Sequence, residues 1–258
     1  MQNFVRRFLL SISFLTILPF NFISSTTQDK EQINQDLSKA SIFFPLVGLL
    51  IGIILVFLYG LFKMIPLNPV LIDGIILIVW ISLSGGLHLE GFADMVDGFS
   101  GGRTKEGIIR IMKDGSIGAK GAIALIMLIL FKFLLIYSID DTLKLEALLI
   151  APVAGRWAMV LAGYWGQPAS ANNTLIRMFT LYLGKTELFI ATLLAIGFGF
   201  FFFSYQCIYL FLLTGLVTRC IISYSYSKMQ GICGDVIGAV NEINELVTLL
   251  FLYLLYVL

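Results

Sequence analysis

The sequence predicts an all-α fold: a polytopic membrane bundle of about seven transmembrane helices, preceded by an interfacial helix at the N-terminus. Of the 258 residues, 59% are hydrophobic and 13% charged, where soluble domains carry about 25% charged residues, and the mean hydropathy is +0.94. Several apolar runs reach the roughly 20 residues that a helix needs to cross the hydrocarbon core. Charged residues crowd together in residues 85–121, GGLHLEGFADMVDGFSGGRTKEGIIRIMKDGSIGAKG, while nearly everywhere else the chain reads as lipid-soluble helix. No repeat, linker or low-complexity segment divides the chain, so residues 1–258 are read as one integral-membrane domain.

At the N-terminus, Arg6 and Arg7 precede an apolar run from Phe8 to Phe20, a pattern shared with signal peptides. Cleavage would put residues 23–40 outside. Counting spans onward, it would also put the basic loop of residues 101–120 outside, against the excess of Lys and Arg in cytoplasmic loops. An uncleaved helix at the cytoplasmic interface is therefore expected. Residues 23–40 are a polar connector with room for one short helix. Spans follow at about 41–63, 70–86, 120–138, 147–163, 187–204, 207–223 and 236–257, to within a few residues at each end.

Pro66, Asn68 and Pro69 make the first outer turn, Asp140, Asp141, Lys144 and Glu146 decorate the second, and Gln206 marks a tight third. The loops at residues 87–119, 165–186 and 224–235 instead carry Arg103, Lys105, Arg110, Lys113, Arg177, Lys185 and Lys228. The loop-charge rule makes that face cytoplasmic. Every polar motif then falls on one side of the membrane, where several loops can build one site. The net charge of +1 comes without a basic stripe interleaved with aromatics, which sets nucleic acid aside. Cys207, Cys220 and Cys233 are too widely spaced for a metal or redox pair and read as small hydrophobes.

Glu90, Asp94 and Asp97 recur at i, i+4 and i+7, which puts them along one helix face. A solvated acidic face is the plain reading. Ionisable groups directly following an apolar span are costly, however, and usually functional. Clustered carboxylates suit Mg²⁺ or Mn²⁺, which bind through one or two carboxylates plus phosphate oxygens and water. Gly98, Ser100, Gly101 and Gly102 follow, then Arg103, Lys105, Arg110, Lys113 and Lys120. Glycines let a backbone approach phosphate, and Arg and Lys neutralise its charge. Either feature alone has a plain reading, a turn or an anchor for anionic lipid; together with the acidic row they point to a pyrophosphate.

A second polar island, Gly231 to Glu242, opens the last span. Asp235, Glu242 and Glu245 share one helix face, with Asn241 adjacent. Asp235 is either a ligand or a helix cap, whereas Glu242, about two turns into an apolar helix, resists a plain reading. Arg156 in mid-span and Arg219 near an inner end either pair with an acidic neighbour or hold phosphate. The lone His88 is of a kind more often structural.

The chain resembles the cobalamin synthase family, the adenosylcobinamide-GDP ribazoletransferases. The resemblance rests on SISFLTILPF near the start, FPLVGLLIG at 44–52, GGLHLEGFADMVDGFSGG with IMKDGSIGAKGAIAL, GRWAMVLA and GDVIGAVNE, which together cover most of the chain. It implies an integral membrane enzyme of late vitamin B12 assembly, in the bacterial inner membrane with its active site facing the cytoplasm. Such an enzyme joins adenosylcobinamide-GDP to α-ribazole or its 5′-phosphate and releases GMP, with Mg²⁺ as cofactor. A ribazole hydroxyl attacks the phosphorus attached to cobinamide, so the protein must hold a pyrophosphate and orient the nucleophile.

Asp94-Met95-Val96-Asp97-Gly98 also looks like the opening DxxDG of the CDP-alcohol phosphatidyltransferases. That family continues with AR and GxxxDxxxD; here Gly107 is followed by Asp114 seven positions on, without a further Asp at the next expected place. Asp94 and Asp97 are thus expected as catalytic metal ligands, Glu90 as a third ligand or a support, and Asp114 and Asp235 as further ligands. Asp97 and Glu242 are both candidates for the general base, and Arg103, Arg110, Lys113 and Arg156 for substrate phosphate. Lipid surrounds such a chain, and a homo-oligomer is compatible with it. A transporter, the rival from another class, predicts carboxylates near the midplane and an internal repeat.

Overall fold

A computed structural model describes residues 2–18, 30–170 and 174–257, which form twelve α-helices and the turns between them. Helix α1 (Gln2–Leu15) precedes α2 (Lys30–Ala40), and Arg6 and Arg7 both reach Asp36 of α2, at 3.0 and 3.3 Å. The expected short helix of the connector is α2; residues 23–29 lie outside the described residues. One 3-10 turn, Ser41–Phe43, leads from α2 into α3 (Phe44–Lys63), so that Gln35–Lys63 reads as one span of 29 residues.

Gly48 and Gly52, a helical turn apart on α3, allow it to meet the backbone of α8 (Asp141–Trp165). A Cβ at Gly52 would stand 2.8 Å from the Leu148 carbonyl oxygen, and one at Gly48 would stand 2.7 Å from the Val153 Cα. Small residues at this spacing are how membrane helices approach closely. Pro152 inside α8 has no N–H to give the Leu148 carbonyl, so this contact falls where the α8 backbone is interrupted. Helix α8 is the axis of the bundle, with 83% of its spanning stretch buried.

Helix α4 (Pro69–Leu83) starts where the Asn68 side chain accepts from the Val70 N–H at 2.9 Å. Its 15 residues measure about 22 Å, short of a full bilayer core. Gly85 and Gly86 then take φ of +63° and +71°, a region open to glycine. Helix α5 (Leu87–Gly101) consequently leaves at 84° to α4. The span expected at 70–86 is therefore shorter than a helix of that length, and its last residues are the turn. Helix α6 (Lys105–Met112) is capped by Thr104 and folds back on α5 with Ile108 and Met112 buried.

Helices α7 (Ala119–Ser138) and α8 make the next hairpin; α9 (Thr174–Tyr182) precedes α10 (Lys185–Phe203), α11 (Gln206–Met229) and α12 (Gly234–Val257). Among the described residues six helices are long and apolar enough to cross a membrane, and the count reaches the seven expected from the sequence when the bent pair α4–α5 is taken as one span. Two boundaries moved. Helix α8 begins at Asp141, not near 147, because Asp140 accepts from the Thr142 N–H at 2.9 Å and caps it, while Asp141 and Lys144 find partners. Lys144 meets Asp73 at 3.0 Å, and Lys63 and Tyr59 meet Asp141 at 2.5 and 2.7 Å. Helix α11 continues to Met229 and leaves a loop of only a few residues before α12. The connections α5–α7, α8–α10 and α11–α12 share one end of the bundle, where Ile232 pairs with Gln167 and Ala169 at 2.8 and 2.9 Å.

Candidate active site

Helix α5 lies across the first turns of two spans. Gly91 rests on α12, where a Cβ would come within 2.9 Å of the Asp235 Cα, and Asp97 rests on the first turn of α7. This crossing adds Asp235 to the acidic row. Asp94 is half-buried, and its carboxyl is pushed up to about 6 by burial first, then by Asp235, Glu90 and Asp97. Asp94 thus feels three other carboxylates, an arrangement that suits a shared cation. Glu90 is exposed, and neither Glu90 nor Asp94 has a side-chain hydrogen bond or ion pair among the described residues.

Asp97 is differently employed. Its Oδ2 accepts from the Gly118 N–H at 2.7 Å and its Oδ1 from the Gly121 N–H at 2.8 Å. These are otherwise orphan donors at the start of α7, where a negative charge is favoured. A Cβ at Gly121 would collide with that carboxylate, which explains why glycine occurs there. Each oxygen keeps a lone pair, so Asp97 anchors a helix without being excluded as a ligand. Asp235 stands inside the first turn of α12, one residue after the helix begins, and so is not the cap.

Arg103, Arg110 and Lys113 are exposed on and beside α6, which packs on α5. Lys113 lies within electrostatic reach of Asp235 and lines a small cavity of about 40 Å³ with it. Asp97, Ser100, Asp114, Ser116 and Lys120 line an open cleft of about 270 Å³, in which Asp114 accepts from the Ser116 hydroxyl at 2.8 Å. Burial and Asp235 push the Cys233 thiol up to about 12, so it carries no thiolate at neutral pH.

Glu242 and Arg156 are elsewhere. Both are buried in the bundle interior, at 3% and 0% exposure. Glu242 pairs with Lys132 at 2.9 Å, Glu245 pairs with both Lys132 and Arg156, and the Trp80 indole donates to Glu245 at 3.3 Å. The structure thus brings together Glu90, Asp94, Asp97 and Asp235 with the basic residues of α6, and separates Glu242 and Arg156 from them in an interior network. Sequence reasoning passed over Lys132. Its signal was there: one lysine in an apolar run demands a buried partner, and two cations then balance Glu242 and Glu245.

Among the described residues, no three of His, Cys, Asp and Glu stand close enough to hold a metal ion unaided. Mg²⁺ requires no such cage, because it binds through one or two carboxylates and completes its shell with phosphate oxygens and water. Asp94 and Asp235, like charges brought into each other's electrostatic reach, fit that donor chemistry.

A membrane-embedded helical bundle that collects acidic and basic side chains at one end defines a class: polytopic membrane proteins with a polar site at one end of the bundle. Within that class, the chain belongs to the cobalamin-5-phosphate synthase family, whose sequence pattern matches residues 7–253. Its relatives include an adenosylcobinamide-GDP ribazoletransferase of Desulforamulus reducens, 36% identical over 92% of this chain and 91% of the relative. A protein of the same name from Caldanaerobacter subterraneus is 32% identical over 97% and 99%, and one from Clostridium acetobutylicum is 31% identical over 97% and 96%. No solved structure matches the chain.

Proposed function

We propose that this chain joins adenosylcobinamide-GDP to α-ribazole or α-ribazole 5′-phosphate, releasing GMP and forming adenosylcobalamin or its 5′-phosphate. The observation that carries the reading is the crossing of α5 over α12, which sets Asp94 and Asp235 together beside the basic helix α6. A pyrophosphate needs that combination of cation site and positive side chains.

Asp94 and Asp235 would hold Mg²⁺, with Glu90 and Asp97 as neighbours. When bound, Mg²⁺ neutralises charge on the pyrophosphate oxygens. Arg103, Arg110 and Lys113 bind the phosphates and orient the bond to be broken. The ribazole oxygen forms a bond to the phosphorus attached to cobinamide, the bond from that phosphorus to GMP breaks, and the hydroxyl proton passes to a carboxylate. We assign that proton to Glu90, a reading supported by its being exposed and without a side-chain partner among the described residues. Glu242 already serves Lys132, and the buried Arg156 serves Glu245, so neither is given a role on substrate. The reacting end faces the cytoplasm of the bacterial inner membrane, in keeping with its basic loops, and lipid covers the apolar sides of the bundle.

The test is GMP release by purified full-length protein given adenosylcobinamide-GDP, α-ribazole and Mg²⁺. Release that chelation abolishes and Mg²⁺ restores is expected. CMP release from CDP-diacylglycerol and an alcohol, with none from the cobinamide substrate, would overturn the reading.

A further inference from the structure

Behind the carboxylate crossing lies an apolar cavity of about 250 Å³, and Gly91 and Asp235 form part of the wall between the two. Three phenylalanines stand among its remaining walls. Phe44 stacks on Phe14 at 6.1 Å and on Phe179 at 5.9 Å, and all three line the space. His88, 3% exposed, lines it too, and the His88 Nε2 is buried without a hydrogen-bond partner. A buried polar nitrogen left unpaired is costly unless a ligand atom completes it.

We propose that this cavity binds the aromatic base of the acceptor nucleoside, a benzimidazole-type ring, with His88 Nε2 donating to the ring nitrogen that is free of the sugar. The assignment rests on ribazole being the acceptor. Size excludes the corrin ring, which far exceeds a space of about 250 Å³. Polarity excludes guanine, whose edge carries several donors and acceptors that an apolar wall would leave unpaired. A benzimidazole offers apolar edges, two flat faces for phenylalanine and one unsubstituted acceptor nitrogen, which matches one orphan donor. Position agrees as well: Asp235 borders the cavity and also lies within electrostatic reach of Asp94, so the cavity adjoins the acidic row.

Full-length protein in nanodiscs tests this with α-ribazole as the probe, by its KM in GMP release and by equilibrium dialysis without co-substrate. His88→Ala and the cavity-filling Met159→Trp should each raise both the KM and the Kd for α-ribazole about tenfold or more. The KM for adenosylcobinamide-GDP should stay within about twofold, and His88→Gln, which keeps an N–H, should recover part of the loss. Should Met159→Trp not fold, the two His88 variants decide alone. Unchanged α-ribazole constants, or a loss confined to the guanosine substrate, would overturn the assignment. If the wild type turns over while no variant affects α-ribazole, the cavity reading falls and the transferase reading stands. If the wild type releases no GMP yet binds α-ribazole in a His88-dependent way, the transferase reading falls and the cavity reading stands.

Discussion

Asp94 and Asp97 differ by three positions and by their partners. Asp94 has none among the described residues and feels three other carboxylates; Asp97 has two backbone donors at the start of α7. Asp94→Asn should therefore cut GMP release by at least about a hundredfold without lowering the amount of protein in the membrane, as immunoblotting of membrane fractions would show. Because the Asp94 carboxyl stands at about 6, protons and Mg²⁺ compete for it, and the cation wins as pH rises. Below about pH 6, the Mg²⁺ needed for half-maximal rate should increase about tenfold per unit, and a Mg²⁺ titration at several pH values checks this. Gly121→Ala should instead cost about 1–3 kcal/mol of stability, read as a lowered thermal midpoint in detergent, because its Cβ collides with the Asp97 carboxylate. The acidic row was legible from spacing alone, since i, i+4, i+7 defines a helix face. The Asp97 anchor was not, because it depends on where α7 begins relative to α5, which local pattern does not encode.

Among the elements, α12 carries two polar faces of different purpose: its first turn meets α5 through Asp235, and its next turns meet α4, α7 and α8 through Glu242 and Glu245. Two cations and two anions balance one another in this interior network. Lys132→Met should destabilise the bundle by about 3–5 kcal/mol, because it strands a buried carboxylate. Adding Glu242→Gln should restore most of that loss, since Glu245 keeps Arg156; thermal unfolding of the three proteins in one detergent measures it. The sequence marked Glu242 and Arg156 as out of place in apolar helix, and both are. Their pairing was out of its reach because the partners sit on different helices, with Lys132 and Glu242 110 positions apart and Arg156 and Glu245 89 positions apart. The α4–α5 bend was missed for a related reason: hydropathy counts apolar residues, whereas paired positive φ at Gly85 and Gly86 turns the chain.

For the whole molecule, taking the bent pair α4–α5 as one span puts the loops around Asn68 and Asp140 at one end and the loops around Ser116 and Gly231 at the other. Single cysteines introduced at Asn68 and at Ser116 in an otherwise cysteine-free chain should thus react with an impermeant maleimide from opposite sides of sealed vesicles. This architecture was the part most legible in the sequence, since span length and loop charge depend on the bilayer rather than on any one contact. All groups given a role on substrate then share the Ser116 end, with the interior network beneath them. The most direct test of that account is GMP release from adenosylcobinamide-GDP and α-ribazole by wild type and by Asp235→Asn, side by side with Glu242→Gln. Loss of release in Asp235→Asn by at least about a hundredfold, with Glu242→Gln retaining turnover once folded, is the predicted result. Full activity in Asp235→Asn would contradict the placement of the active site where α5 crosses α12.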